Sequence, residues 1–211
     1  SDVVKAANKA MGEIDMPADF TWQFGGTFED QQDTFSDMIM LMALIIVLVF
    51  IIMASQFESL TYPFVIMFSI PFALTGVLMG LFVTGTPLSI MAMLGLLMLI
   101  GIVVNNGIVL IDYIMLCRER GLGLVNAIVT SGRSRLRPIL MTTLTTVIGM
   151  IPMAVGKGEG SEMWRALGMS VAWGLSFSTL ITLIIIPTLY SVFARIGIKR
   201  ARKKELKTLK K

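Results

Sequence analysis

The chain has 211 residues, of which 55% are hydrophobic and only 15% are charged, with a formal net charge of +4 and a mean hydropathy of +0.80. Soluble domains carry about 25% charged residues, so this composition indicates a membrane protein. One cysteine and no histidine exclude an internal disulfide, a cysteine metal cluster and histidine-based acid–base catalysis.

The first 35 residues are predicted to be the end of a folded region that lies outside the membrane. Residues 2–14 have the apolar spacing of a helix, and residues 20–24 alternate as a strand does before Gly25-Gly26. One helix and one strand cannot bury a core alone, and no cleavable signal peptide precedes the first apolar run. We therefore expect a short α/β remnant, and we expect the chain to be a C-terminal piece of a larger protein.

Five apolar runs follow, and each is long enough to cross a bilayer as a helix, which needs about 20 residues. The fourth run begins with Pro138, a residue that suits the first turn of a helix. The expected fold is thus an all-α membrane protein with a five-helix bundle over residues 36–194 and a basic tail over 195–211. The predicted spans are about 38–54, 64–83, 88–117, 138–155 and 166–194.

The distribution of charge predicts the orientation of these spans, because cytoplasmic flanks collect lysine and arginine. The link between the third and fourth spans and the tail together hold 14 of the 18 basic residues, whereas the first 35 residues hold seven acidic residues and two lysines. The N-terminus is therefore expected outside and the C-terminus inside. The tail has no aromatic residue to stack on bases, so nucleic acid is not an expected partner. It is expected to be a cytoplasmic stop signal, or to bind anionic lipid.

Polar residues interrupt the third predicted span in the sequence IGIVVNNGIVLIDY. On a helix Asn105 and Asp112 share a face, whereas Asn106 points about 100° away. We interpret Asn105 as lining a polar path for ions. Asn106 either lines that path or hydrogen-bonds a neighbouring helix. Asp112 either pairs with Arg118 or Arg120 at the membrane edge, or takes part in transport.

The fourth predicted span carries a second polar strip that is expected to meet Asn105. Four residues follow the i, i+3, i+4, i+7 spacing of one helix face: Thr142, Thr145, Thr146 and Gly149. The competing interpretation is that the threonine hydroxyls only bond to carbonyls of their own helix.

Small residues spaced four apart occur in two of the predicted spans and predict close helix packing. They are Gly76 and Gly80 in the second span, and Ser170, Gly174, Ser178 and Thr182 in the fifth. Prolines within the spans are expected to kink or end a helix. These are Pro71, Pro152 and Pro187.

Three segments resemble the C-terminal membrane half of the resistance–nodulation–division exporters, the multidrug pumps of the acriflavine-resistance type. They are ASQFESLTYPFVIMFSIPFALTG at 54–76, LIGIVVNNGIVLIDY at 99–113 and SRLRPILMTTLTTVIGMIPMAVGKGEGSE at 134–162. The fifth predicted span, which contains a proline, resembles the same family. The resemblance covers nearly the whole chain. It implies transmembrane helices eight to twelve of the exporter fold, preceded by the end of the periplasmic porter region and a connector.

The resemblance also implies function. Such proteins are secondary active transporters rather than enzymes, use the proton gradient to export drugs and amphiphiles, and need no cofactor. They work as homotrimers in the bacterial inner membrane and join a periplasmic adaptor and an outer-membrane channel. Substrate binds in the periplasmic region. The alternative is a non-transporting five-helix scaffold, or a protein-export auxiliary of the same superfamily.

The resemblance places the proton relay at four residues of this chain. In the family, two aspartates on the fourth helix of the other half face a lysine–asparagine pair, a threonine and an arginine. These positions correspond to Asn105, Asn106, Thr142 and Arg135. Asn105 stands where the drug–proton pumps usually carry lysine, and an amide stabilises neighbouring carboxylate charge far less than an ammonium does. We expect proton coupling with a shifted pH optimum, or sodium coupling, because amide carbonyls suit a hard cation.

Overall fold

The structure is a computed structural model that describes residues 2–12, 27–156, 158 and 160–208. The chain divides into two compact units, Ser1–Phe35 and Ser36–Lys211. The first unit contains helix α1 (Asp2–Gly12), which confirms the predicted N-terminal helix. The strand predicted at residues 20–24 lies outside the described residues, and the described part of the chain contains no strand.

The second unit is helical, and five of its helical stretches are long and apolar enough to cross a membrane, as predicted. Helix α2 runs beyond the first unit, and the second predicted span consists of the two consecutive helices α3 and α4. The helices are α2 (Thr27–Phe57), α3 (Thr61–Met67), α4 (Ser69–Thr84), α5 (Ile90–Glu119), α6 (Leu124–Val155) and α7 (Ser161–Thr208).

The break between α3 and α4 follows from a proline. Pro71 has no N–H to donate to the carbonyl of Met67, four residues earlier, and α3 ends at that residue. The Ser69 hydroxyl donates to the carbonyl of Ile66 at 2.7 Å, which satisfies one backbone acceptor beside the break. The helix is therefore interrupted next to this proline, and α3 and α4 together form one span, Thr61–Thr84.

The expected helix start at Pro138 is wrong. Helix α6 begins at Leu124, directly after a tight turn in which Gly121 has a φ of 86°. The arginines at 133, 135 and 137 led to the prediction of a loop, but long cationic side chains at a membrane edge can remain on a helix and reach water with their charged ends. Pro138 lies inside α6 on an exposed surface, where the loss of one backbone hydrogen bond is tolerated because neighbouring groups or water satisfy the freed carbonyl.

Helix α7 packs against α4, α5 and α6 and forms the centre of the bundle. Glycine makes this close approach possible. A Cβ atom placed on Gly76 would lie 2.8 Å from the Cβ of Phe177 and 3.1 Å from the Cα of Gly174, and one placed on Gly95 would lie 3.0 Å from the Cβ of Ser170. The predicted close packing of small residues in the second and fifth spans is therefore confirmed.

Candidate functional site

The polar residues of α5 that are predicted to take part in ion transport differ in their exposure. Asn105 and Asp112 are exposed, and a Cβ placed on Gly101, one turn before Asn105, would have no neighbour within 4 Å. Neither Asn105 nor Asp112 makes a side-chain hydrogen bond or ion pair with another described residue. Asn105 and Asp112 therefore give one face of α5 exposed polar groups.

The proposed pairing of Asp112 with an arginine is not present in this structure. Arg118 lies one and a half turns further along α5, and Arg120 follows the last helical residue. Within the described part of the chain, neither guanidinium comes within ion-pair distance of the Asp112 carboxylate. The carboxylate thus remains available to a partner outside these helices.

The threonine strip of α6 is exposed at its centre, and its hydroxyls bond to their own helix. Thr142 donates to the carbonyl of Pro138 at 3.1 Å, and Thr145 donates to the carbonyl of Met141 at 2.8 Å. Thr146 donates to the carbonyl of Thr142 at 2.9 Å. Each hydroxyl proton is therefore occupied, but the oxygen of each can still accept a hydrogen bond. We refer to Asn105, Asp112 and Thr142 as the outer polar set.

Asn106, by contrast, points into the bundle and is only 8% exposed. Within the part of the chain that the structure describes, its amide nitrogen has no hydrogen-bond partner, and the same holds for the hydroxyl of Thr182, which lines the same cleft. Thr179 lines this cleft too and shares a hydrogen bond of 3.2 Å with Thr143 of α6. We call Asn106, Thr143, Thr179 and Thr182 the inner polar cluster. Its one hydrogen bond among the described residues, Thr143–Thr179, joins α6 to α7, and Asn106 of α5 lies beside it in the interior.

The structure thus separates the two asparagines and adds two residues that sequence reasoning missed. Thr143 and Thr179 were not singled out, although Thr143 adjoins the predicted strip. Helix geometry could have identified Thr143, because consecutive residues of a helix point about 100° apart. Thr143 therefore faces inward when Thr142 faces outward.

Arg135 of α6 lies over an aromatic ring of α5. Its Cζ atom is 4.4 Å from the centroid of the Tyr113 ring, and its buried Nε atom has no hydrogen-bond partner. Among the described residues no carboxylate pairs with this guanidinium. The described residues also contain no group of three or more histidine, cysteine, aspartate or glutamate side chains that could hold a metal ion.

Comparison with known proteins places these features in a family. A family model described as the AcrB/AcrD/AcrF family matches residues 1–194. The swarming motility protein SwrC of Bacillus subtilis is 40% identical over 94% of the chain and 19% of its own length. The cobalt-zinc-cadmium resistance protein CzcA of Cupriavidus metallidurans is 35% identical over 92% of the chain and 18% of its own length.

Two further similarities agree with this match. The multidrug resistance protein MdtC of an Enterobacter species is 33% identical over 96% of the chain and 20% of its own length. An X-ray structure of a heavy metal efflux pump superposes with a TM-score of 0.79 and 29% identity, over 91% of this chain and 19% of that one. The chain therefore spans about a fifth of the length of the relatives that it matches.

Proposed function

Because the chain belongs to the AcrB/AcrD/AcrF family, we propose that it supplies half of the ion-translocating membrane bundle of an efflux transporter. Its five apolar helices are those of a multipass membrane protein, and its relatives include multidrug resistance and cation efflux proteins. The chain covers about a fifth of these relatives, so pumping requires the rest of the transporter.

One observation carries this proposal: among the residues that the structure describes, the outer polar set has no partner outside its own helix backbones. Within that part of the chain, Asn105 and Asp112 are exposed without hydrogen bonds, and the Thr142 hydroxyl bonds only to a carbonyl of α6. Polar groups left bare in hydrocarbon cost several kcal/mol each, roughly. A second polar surface that covers them removes this cost, and the family resemblance expects a pair of aspartates there. Asn105 would donate its amide N–H to those carboxylates, the Thr142 oxygen would accept a hydrogen bond from their protonated form, and Arg135 would supply positive charge beside them.

We propose proton antiport as the driving reaction. An amide at position 105 leaves the facing acids with less positive charge than a lysine would, so they hold their protons more tightly. Sodium is the alternative driving ion, because the amide oxygen of Asn105 can contribute to a hard-cation site. Purified transporter in proteoliposomes distinguishes them. Proton coupling predicts dye efflux under a proton gradient without sodium, and sodium coupling predicts efflux under a sodium gradient at equal pH on both sides.

The proposed assembly is a homotrimer in the bacterial inner membrane, with the N-terminus in the periplasm and the C-terminus in the cytoplasm. The arginines near the α5–α6 turn and the basic residues after Ala194 support this orientation. A periplasmic adaptor and an outer-membrane channel would complete the export path. Drugs and amphiphiles are the proposed substrates, bound in the periplasmic region outside this chain.

Metal cation efflux is a second candidate function. The relative CzcA is named for cobalt, zinc and cadmium resistance, and the superposed structure is that of a heavy metal efflux pump. Transport assays with zinc and cobalt ions beside an amphiphilic dye separate the two substrate classes. Uptake of metal ions into inverted vesicles without dye transport would favour this second candidate.

The role of the outer polar set is tested by Asn105→Leu in the complete transporter. We expect this variant to abolish efflux and to leave the yield of trimer unchanged, since Asn105 is exposed and makes no side-chain hydrogen bond or ion pair with another described residue. Asn126→Leu is the matched control, because Asn126 is also exposed but lies at the start of α6. Normal efflux by the Asn105→Leu variant would contradict the relay role.

A further inference from the structure

The guanidinium of Arg135 contacts one aromatic ring. The side chain is partly buried, and its Nε atom lies away from solvent with no hydrogen-bond partner among the described residues. The Tyr113 ring, 4.4 Å from Cζ, is its only interacting group among the described residues. A desolvated cation gains more from the negative face of an aromatic ring than an exposed one does. Among the described helices, the Tyr113 ring is thus the main electrostatic partner of Arg135.

The contact joins the two helices that carry the outer polar set. Tyr113 belongs to α5 and directly follows Asp112, whereas Arg135 and Thr142 belong to α6. A charge on a long, rotatable side chain has many accessible positions, and a fixed ring restricts them. The Tyr113 phenol hydroxyl makes no side-chain hydrogen bond within the described residues, so the ring face is the part of the side chain that acts on Arg135.

We propose that Tyr113 is a positioning residue that holds the Arg135 guanidinium at the ion path. This role rests on the proposed function, because it assigns to Tyr113 the task of placing a charge that the relay uses. The ring keeps the cation between α5 and α6 while the facing acids gain and lose their ion. Without the ring, the guanidinium is free to turn away from the path toward water at the membrane edge.

An aromatic series at position 113 separates positioning from simple packing. Tyr113→Phe and Tyr113→Trp keep a ring face, whereas Tyr113→Met keeps a large apolar side chain without one. In the complete transporter in proteoliposomes, we expect the Phe and Trp variants to transport dye at the wild-type rate. The Met variant should lose roughly 2- to 30-fold in rate, the range that corresponds to the loss of one cation–π contact.

Tyr62→Met is the matched control. Tyr62 is also partly buried, and its ring stacks on Tyr190 with centroids 5.6 Å apart rather than on a guanidinium. This variant should melt at a lower temperature and transport at the wild-type rate for each folded molecule. A double-mutant cycle on melting temperature, with Tyr113→Met and Arg135→Met, gives a second readout. If the contact forms, the effects of the two substitutions are not additive.

The outcomes are distinct. Loss of rate in Tyr113→Met, rescue by the two aromatic variants and a coupled cycle support the proposal. If the wild-type protein transports substrate, two results overturn the proposal. One is a wild-type transport rate in Tyr113→Met, and the other is an equal loss of rate in the Phe and Met variants. A wild-type transporter that moves no substrate under either ion gradient contradicts the proposed function, and the positioning role falls with it.

Discussion

Asn105 and Asn106 are adjacent in the sequence, yet α5 turns their amides toward different surroundings. Asn105 is exposed without a partner, whereas Asn106 lies in a cleft with two threonines between α5, α6 and α7. A helix rotates by about 100° per residue, so one of two neighbouring amides points inward when the other points outward. The two asparagines therefore face different surroundings. Asn105 belongs to the proposed ion path, and the role of Asn106, in that path or in the packing of the helices, stays a prediction.

At the residue scale, the proposed path predicts a specific effect of removing one hydroxyl. Thr142→Val should lower the transport rate roughly tenfold, because the protonated form of the facing acids loses a hydrogen-bond acceptor. Thr188→Val is the control, since Thr188 is also exposed and donates to its own helix, at 2.7 Å to the carbonyl of Ile184. Transport rates in proteoliposomes should separate the two variants, and equal rates would argue against a place for Thr142 in the path.

The inner polar cluster predicts a change in stability instead. Thr143→Val leaves the buried Thr179 hydroxyl without its partner at 3.2 Å. We expect the free energy of unfolding to fall by about 1 kcal/mol, the usual range for an interhelical hydrogen bond in a membrane bundle. Thr75→Val should change it little, because that hydroxyl is exposed and bonds to the Pro71 carbonyl of its own helix. Thermal melting in detergent measures the stability of both variants. Similar melting temperatures for the two would show that the Thr143–Thr179 hydrogen bond does not stabilise the fold.

At the scale of elements, α7 organises the bundle and α2 lies at its margin. The small residues of α7 let α4 and α5 approach its backbone. In α2, only 6% of the most apolar 18-residue stretch is buried. Lipid tails are as apolar as leucine, so association of these helices depends on close packing rather than on the exclusion of water. The glycine contacts between α4 and α7 are therefore a main source of cohesion.

This packing predicts opposite tolerance at two glycines. Gly76→Leu places a side chain against the Cβ of Phe177 and the backbone of Gly174, so we expect a loss of about 2 to 3 kcal/mol from overpacking. Gly132→Leu meets nothing within 4 Å of the added Cβ and should not destabilise the helix. Melting temperatures of the two variants check this difference. If both variants melted at the wild-type temperature, the close approach of α4 and α7 would be refuted.

The spans and the small-residue packing could be predicted because both depend on local sequence, that is, on apolar runs of sufficient length and on glycines spaced four apart. The start of α6 could not, because charged residues at a membrane edge suit a loop and a helix equally well. The Thr143–Thr179 bond and the Tyr113–Arg135 contact depend on which faces of two helices meet. The roles of Asn105, Asp112 and Thr142 stay predictions, because the groups expected to face them belong to another part of the transporter.

At the scale of the whole molecule, we propose that the chain forms one half of a larger bundle. It matches its relatives along about a fifth of their length, and it carries polar side chains on surfaces that hydrocarbon would not tolerate. The central claim is that Asn105 meets a polar, ion-accessible path in the complete transporter rather than lipid.

Thiol labelling tests this claim most directly. The only cysteine of the sequence, Cys117, is buried, so a cysteine introduced at an exposed position can be followed once cysteines elsewhere in the transporter are replaced. Asn105→Cys should react with a charged, water-soluble thiol reagent. Leu180→Cys, at a position that is 64% exposed on α7, should stay unreactive because it faces lipid. If the thiol at position 105 were as inert as the one at position 180, Asn105 would not lie on an ion path.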